Sequence, residues 1–256
     1  MNKPTILVPA YVTKSAKTGE TVAIGLGANY AEFLSRFGNV RIVMPHEEKV
    51  DGDLLFLPGG MDTNPINYGE VPSIFAGNID VHKEFFFKER LKNYIDNTPI
   101  FGVCLGMQQL NVHFGGKLIQ NLLFHAQSSD RWQTAHPIFP PTLEFDKLND
   151  KQIKLLPKVN SHHHQAVLTN MCAESFTPLL LAEYEDKYLP GSHGNHNTCI
   201  VEAFVHNHLP IVGVQWHPEE LYDEIAVSLM NILLNTKDIS HEERIGIILG
   251  VIEDKF

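Results

Sequence analysis

The stretch IFGVCLG at residues 100–106 places one cysteine, Cys104, between two glycines at the end of an apolar run. Its first four residues predict a buried strand, and the pattern after them predicts a helix. The flanking glycines permit a tight strand-to-helix turn, which holds the middle residue in a strained position, as in the serine elbow G-x-S-x-G. The helix dipole favours the thiolate of a cysteine at this place. We therefore expect Cys104 to be a nucleophile.

Strand patterns alternate with helical patterns on both sides of this stretch. The predicted strands cover residues 6–12, 40–43, 54–57, 100–103, 159–161, 179–183, 199–205 and 211–215, and the predicted helices cover 28–37, 81–95, 105–114 and 219–234. Such alternation predicts an α/β fold with a mostly parallel central sheet and helices on both faces. The strand-rich second half predicts additional antiparallel strands at the sheet edge.

The length of 256 residues, 43% of them hydrophobic, fits a single domain. We expect a catalytic domain over residues 1–237 and a C-terminal tail element, residues 238–256, that packs on it. The tail has Ser240 and Glu243 in capping-box spacing before the apolar run IGIILGVI. A contact within a homodimer is the alternative role for this tail.

The composition excludes several classes of partner. A net charge of −10 and a pI near 5.7 argue against nucleic acid, because phosphate binding needs clustered lysine and arginine. No apolar run approaches the roughly 18 residues of a membrane span, and the N-terminus lacks the regions of a signal peptide. We expect a cytoplasmic protein.

The cysteines and histidines do not predict a metal site. The three cysteines are widely spaced without a CxxC pair, and we expect Cys172 and Cys199 to be small buried hydrophobic residues. The three histidines at 162–164 are consecutive, so in a strand they cannot all face one ion. Residues 186–198 predict a surface loop, and the histidines between 192 and 208 are expected to be solvated. We predict no cofactor and no metal.

The segment VQWHPE at residues 214–219 offers a base for the nucleophile. It follows a predicted strand, which places His217 and Glu219 where a sheet meets a loop. Pro218 restricts the backbone of His217 and sets the turn. Glu219 is close enough to accept a hydrogen bond from the imidazole, which would set the tautomer and stabilise the imidazolium.

An oxyanion hole is also predicted. The backbone N–H of Leu105 lies directly after the nucleophile, where one donor is expected. The second donor is predicted to be Gly60, because Gly59 and Gly60 follow a strand and lack side chains that would keep a ligand away from the backbone.

With these residues in view, the chain resembles the class I glutamine amidotransferase superfamily and is most similar to its γ-glutamyl-γ-aminobutyrate hydrolase family. The segments that carry the resemblance are FLPGGMDTNPINYGE (56–70), IFGVCLGMQQLNVHFGGKLIQNL (100–122), VNSHHHQAV (159–167), VEAF (201–204) and VGVQWHPEEL (212–221). The resemblance implies a flavodoxin-like α/β fold. It also implies that Cys104 is the nucleophile, that His217 is the base and that Glu219 orients this base.

The resemblance further implies which residues bind the substrate. Gln108 and the histidine-rich segment, with His163, His164 and Gln165, would hold the glutamyl α-amino and α-carboxylate groups. Two departures lie on the leaving-group side. Leu105 stands where these hydrolases often have arginine, and Lys83, Glu84 and Phe87 stand where they typically have Arg-Asp and a later glutamate.

Three functions are compatible with these residues. The first is hydrolysis of γ-glutamyl amides, of the γ-glutamyl-γ-aminobutyrate or γ-glutamyl polyamine type, through a γ-glutamyl thioester. The second is a glutaminase component that delivers ammonia to a separate synthase partner. Leu105 favours this function, because a leucine after the nucleophile resembles the glutaminase domains of synthases. The third is a non-catalytic binding or regulatory protein on the same fold, against which the intact Cys104, His217 and Glu219 argue.

Overall fold

The computed structural model describes residues 3–14, 18–44, 46–123, 125, 127–130, 132–184, 198–221 and 223–256. Within these ranges the strands are β1 (Thr5–Pro9), β2 (Tyr11–Lys14), β3 (Thr21–Gly25), β4 (Asn39–Val43), β5 (Leu54–Leu57), β6 (Ile100–Val103), β7 (His136–Pro137), β8 (Lys158–Val159), β9 (Phe176–Ala182), β10 (Ile200–His206) and β11 (Ile211–Val214). The α-helices are α1 (Ala28–Ser35), α2 (Val81–Phe85), α3 (Leu105–His113), α4 (Asp150–Leu155), α5 (Pro218–Leu221), α6 (Glu224–Asn235) and α7 (His241–Glu253).

A seven-stranded sheet forms the centre, in the order β4-β1-β5-β6-β11-β10-β9. The pairs from β4 to β11 are parallel, whereas β10 pairs antiparallel with both β11 and β9. Taken in chain order, the parallel strands lie 2-1-3-4-5, which is the flavodoxin-like arrangement. The predicted fold class, including the antiparallel strands at one edge, is confirmed.

Helices cover both faces of the sheet. On one face, α1, α6 and α7 bury apolar side chains together with Trp216. On the other, α3 and the segment after α2 pack against a second cluster, which includes Met107 and Leu91. The strands β5, β6 and β11 are buried along their whole length, as expected for parallel strands covered on both faces.

The structure differs from the prediction at two elements. The predicted helix 81–95 is α-helical only in α2, and it continues as a π-helical turn, Phe86–Arg90, and a 3₁₀ turn, Leu91–Asn93. The π-helical turn is wider than an α-helical one, and the adjacent Phe86 and Phe87 are both buried in the core. The predicted strand 6–12 is divided at Ala10 between β1, which ends at Pro9, and β2. β2 pairs with β3 in a separate hairpin.

The tail contains a helix that lies against the domain. Ser240 and Glu243 form the predicted capping box at the start of α7, and Ile248 and Ile252 are buried in the same cluster as α6. Arg244 donates hydrogen bonds to the hydroxyl and carbonyl oxygens of Thr236 just after α6. The described helices include none that is long and apolar enough to span a membrane.

The histidine-rich region is only partly described. The predicted loop at 186–198 lies outside the described residues except for its last position. The prediction that His206 is solvated was wrong. This residue ends β10 and is buried, with its ring 4.6 Å from the ring of Phe114 and 5.2 Å from that of Phe176. The neutral form of the His206 imidazole can pack on aromatic rings, which explains its burial. In the sequence, His206 follows the last apolar residue of the predicted strand, so it could not be distinguished from the first residue of a loop.

Candidate active site

Cys104 lies at the elbow between β6 and α3 in a strained conformation. Its φ of 50° and ψ of −108° make it the one non-glycine residue with positive φ in the described part of the chain. Such a conformation costs about 1–3 kcal/mol and persists only where neighbours hold it. The Cys104 N–H donates to Val214 O at 2.8 Å, and its carbonyl accepts from Gln108 N at 3.0 Å.

The two glycines around Cys104 are required by close packing. A methyl group added at Gly106 would lie 2.2 Å from the carbonyl oxygen of Leu57. One added at Gly102 would lie 2.9 Å from the backbone nitrogen of Met107. The helix that follows the nucleophile therefore sits directly on the strands beside it, which brings the thiol to the carboxyl edge of the sheet.

His217 and Glu219 meet at this same edge. The Nδ1 atom of His217 lies 2.7 Å from Oε1 of Glu219, and the imidazole also hydrogen-bonds the Cys104 sulfur. Burial by itself opposes charge on the imidazole, but the interactions with the adjacent Cys104 and Glu219 raise the pKa of His217 well above its usual range. The structure thus brings the three predicted catalytic residues together as a hydrogen-bonded chain.

Asn160 holds the backbone of His217. Its side chain accepts a hydrogen bond from the His217 N–H at 2.8 Å and donates one to the His217 carbonyl at 3.1 Å. In the sequence, the histidines mark the surrounding segment at residues 159–167, and no local signal marks this asparagine.

Tyr30 is a second residue that sequence reasoning missed. Its hydroxyl accepts a hydrogen bond from Gly59 N at 2.9 Å, lies 3.3 Å from His217 Nδ1 and hydrogen-bonds Glu219. Burial, together with the nearby charges of Glu219 and Cys104, raises the pKa of Tyr30 well above its usual range, so the hydroxyl keeps its proton. In the sequence, Tyr30 is one of several aromatic residues on an apolar helix face, so no local signal marks it.

The predicted oxyanion donors are neighbours. A methyl group added at Gly60 would lie 2.8 Å from Cδ2 of Leu105, and one added at Gly59 would lie 2.7 Å from Cε1 of His217. Because Tyr30 takes the Gly59 N–H, the Gly60 N–H is the better candidate to face a substrate oxygen beside Leu105. A side chain at Gly59 would displace His217 or Tyr30, and one at Gly60 would displace Lys83 or Leu105.

The residues predicted to bind the substrate form hydrogen bonds within the protein. Gln108 donates to the carbonyl of Gln165 at 2.8 Å, and Gln165 accepts from Thr63 N at 2.8 Å. His164 contacts Asp62 at 2.8 Å, and His163 is buried. The hydrogen bonds from Gln165 and His164 hold the loop that follows Gly60.

An open cavity of about 1160 Å³ adjoins the imidazole of His217. Its polar lining includes Asn29, Asp80, His82, Lys83, His162 and Glu220. Neither Gln108 nor the segment 163–165 contributes to this lining. The volume is sufficient for a small-molecule substrate.

Lys83 brings a buried amine to this cavity. Burial lowers the pKa of Lys83 to about 8, while the charges of Asp80, Cys104 and Glu219 oppose this shift. Its Nζ donates to the Gly59 carbonyl and lies 5.6 Å from the centre of the Tyr11 ring. From the sequence, Lys83 stood out only as a departure from the family pattern, because its burial is not visible there.

One group of side chains in the described part of the chain has the spacing to hold a metal ion. It comprises His125, His136, His163 and Glu202, and it is separate from the triad. No sequence spacing indicated it.

Comparisons with known proteins identify the family. The Peptidase C26 family profile matches residues 4–219. The chain is 33% identical over 171 residues to the glutamine amidotransferase-like protein YvdE of Lactococcus lactis subsp. lactis, a match covering 65% of this chain and 66% of YvdE. It is 32% identical over 158 residues to one component of the glutamine-hydrolysing GMP synthase of Thermococcus kodakarensis, covering 59% of this chain and 67% of that component.

Among solved structures, a glutamine amidotransferase from Thermotoga maritima aligns with 100% of this chain and 99% of its own, at 16% identity and a TM-score of 0.46. The chain spans about two thirds of the length of YvdE and of the Thermococcus kodakarensis component. Because the family profile covers most of the chain, the protein belongs to the Peptidase C26 family, within the class I glutamine amidotransferase superfamily.

Proposed function

We propose that the protein hydrolyses γ-glutamyl amides through a thioester on Cys104. The observation that carries this proposal is the strained Cys104 hydrogen-bonded to His217, whose imidazole is in turn bonded to Glu219. A thiol paired with an oriented imidazole is the arrangement of nucleophilic cysteine hydrolases.

The reaction has two halves. The Cys104 thiolate attacks the γ-carbonyl carbon, and the N–H groups of Gly60 and Leu105 stabilise the oxyanion. His217 donates its proton to the departing amine as the C–N bond breaks, which leaves a γ-glutamyl thioester. Water then gives a proton to His217 and its hydroxyl to the carbonyl carbon, the C–S bond breaks, and glutamate leaves. An oxyanion donor contributes on the order of 100-fold or more in turnover.

The charges at the cavity favour a substrate that carries a carboxylate near the scissile amide. Lys83 supplies a buried amine beside Gly59 and Gly60, and its ammonium form can pair with such a carboxylate. This supports γ-glutamyl-γ-aminobutyrate as the substrate, with γ-aminobutyrate as the leaving amine. A γ-glutamyl polyamine is the alternative, supported by the acidic Asp80 and Glu220 in the lining. The roles of Gln108, His163, His164 and Gln165 in holding the glutamyl group stay predictions.

A second candidate function is a glutaminase component that passes ammonia to a synthase. The similarity to the Thermococcus kodakarensis GMP synthase component supports it, together with Leu105 after the nucleophile. Under this function the protein acts weakly on glutamine alone and faster when its partner is present.

Glutamate release from three substrates tests these functions. The substrates are glutamine, γ-glutamyl-γ-aminobutyrate and γ-glutamylputrescine, with Cys104→Ala as the inactive variant and Cys172→Ala as the matched control. We expect fast release from γ-glutamyl-γ-aminobutyrate that Cys104→Ala abolishes and Cys172→Ala retains. Activity on glutamine alone would favour the synthase component. Turnover in folded Cys104→Ala, or none in the wild type on all three, would contradict the proposal.

A further inference from the structure

Four side chains converge in the interior, none of them a member of the triad. His136 lies in β7 and Glu202 in β10, while His125 and His163 come from the loops that precede β7 and follow β8. One ring nitrogen from each histidine and one carboxylate oxygen of Glu202 all lie within 4.8 Å of one another. The ring centre of His125 lies 4.6 Å from that of His136 and 5.1 Å from that of His163.

These groups are buried without the hydrogen bonds that burial normally requires. Glu202 is fully buried, and His136 and His163 are exposed by only 8% and 6%. Within the described residues, neither Glu202 oxygen and none of the three histidine Nε2 atoms has a hydrogen-bond partner. Nearly all buried polar groups in proteins are paired, so an entire cluster of orphans indicates a missing common partner.

The tautomers of two histidines are set by carbonyl groups. Nδ1 of His163 lies 3.0 Å from the carbonyl oxygen of Gln165, and Nδ1 of His136 lies 3.2 Å from that of Pro137. A carbonyl can only accept, so each Nδ1 carries the hydrogen, and each Nε2 keeps a lone pair. Metal-binding histidines are oriented in this way, with the second nitrogen donating to a backbone carbonyl.

We propose that His125, His136, His163 and Glu202 bind one zinc ion. The Nε2 atoms of His136 and His163 lie 3.6 and 4.0 Å from Glu202 Oε1. Tetrahedral zinc with bonds of about 2.0–2.1 Å sets its ligand atoms roughly 3.3 Å apart. These two pairs therefore need to close by about 0.3 and 0.7 Å, and no pair in the cluster by more than about 1.5 Å. This inference replaces the expectation from the sequence that the protein holds no metal.

The chemistry of the ligands matches a structural site. Four protein ligands complete a tetrahedral shell and leave no open position for water or substrate. Three imidazoles and one carboxylate are among the ligands that zinc takes in proteins. The ion would place a positive charge beside the buried Glu202 carboxylate.

The site would also support the triad without touching it. His163 lies three residues after Asn160, which holds the His217 backbone. Glu202 accepts a hydrogen bond at its carbonyl from Gln215 N, just before His217. A metal ion would thus tie the loops around His125 and His163 to β10, and its presence does not depend on the proposed substrate.

The test uses full-length protein without a histidine tag, stripped with EDTA, dialysed and loaded with zinc chloride or cobalt chloride. We expect about one zinc per chain by mass spectrometry, the intense visible absorption of tetrahedral cobalt, and a higher melting temperature with zinc. His136→Gln and Glu202→Gln should lose all three effects. His113→Gln and His208→Gln, which alter histidines outside the cluster, should keep them.

Wild-type protein with no stoichiometric zinc, no cobalt absorption and no shift in melting temperature would overturn the proposal. This outcome would leave a proton or water molecule as the occupant of the cluster. Loss of zinc in either control but not in Glu202→Gln would overturn it as well. The wild-type measurements test zinc binding without any variant, so the test does not depend on whether a variant folds.

Discussion

The side chain of Asn160 forms two hydrogen bonds with the backbone of His217, accepting one from its N–H at 2.8 Å and donating one to its carbonyl at 3.1 Å. The imidazole that pairs with Cys104 therefore starts from a backbone that cannot shift without breaking two hydrogen bonds. This makes Asn160 a positioning residue for the proposed base.

Asn160→Ala should lower kcat by about 100-fold with a smaller change in KM, because a displacement of about 1 Å in a catalytic group has this effect. Asn160→Asp keeps the acceptor for the His217 N–H and should restore part of the rate. Steady-state kinetics on the preferred γ-glutamyl amide check both. Asn111→Ala is the matched control, since Asn111 is also fully buried and holds backbone groups elsewhere. If it lowers kcat equally, Asn160 has no special role.

Tyr30→Phe should lower kcat/KM by about tenfold, because the lost hydroxyl bonds both Gly59 and the triad and one hydrogen bond contributes about 1.5 kcal/mol. Tyr94→Phe provides the control, since the buried Tyr94 hydroxyl accepts the N–H of Val50 far from the site. Both variants should lose similar unfolding free energy in urea titrations. Equal activity of the two variants would contradict this role for Tyr30.

Gly106→Ala should destabilise the protein by about 3 kcal/mol or more, because the added methyl group would overlap the Leu57 carbonyl. Gly246→Ala adds the same methyl group to α7 where nothing lies within 4 Å. It should stabilise the protein by about 0.5–1 kcal/mol through helix propensity. Urea unfolding measures both. A stable Gly106→Ala would show that α3 can move away from the strands.

Binding of a carboxylate-bearing substrate should weaken as the pH rises through about 8, where Lys83 loses its proton. Burial lowers the pKa of Lys83, so the ammonium form is present below this pH and is lost above it. The value of KM for γ-glutamyl-γ-aminobutyrate should therefore rise on the alkaline side. Lys83→Met should show a high KM that no longer depends on pH in this range. A wild-type KM that stays flat across pH 8 would contradict pairing with Lys83.

Contiguous patterns in the sequence were sufficient for the fold class and for the arrangement around the nucleophile. The strand IFGV followed by a cysteine between glycines predicted the elbow, and the positive φ of Cys104 agrees with it. The capping box of Ser240 and Glu243 was predicted from spacing alone and is present at the start of α7. These features depend on residues within one or two turns of one another, where local sterics and hydrogen bonding act.

The tertiary structure alone decided which distant residues serve the site. Tyr30 lies in α1, Lys83 in α2 and Asn160 after β8, and only the packing of these separate elements brings them to the triad. Likewise, His125 and His163 on two loops and His136 in β7 approach Glu202 only because these segments pack against β10. Alternating apolar and helical patterns determine that a sheet forms. The contacts between buried polar groups depend on how segments far apart in the chain pack together. The spacing of residues along the sequence does not predict these contacts.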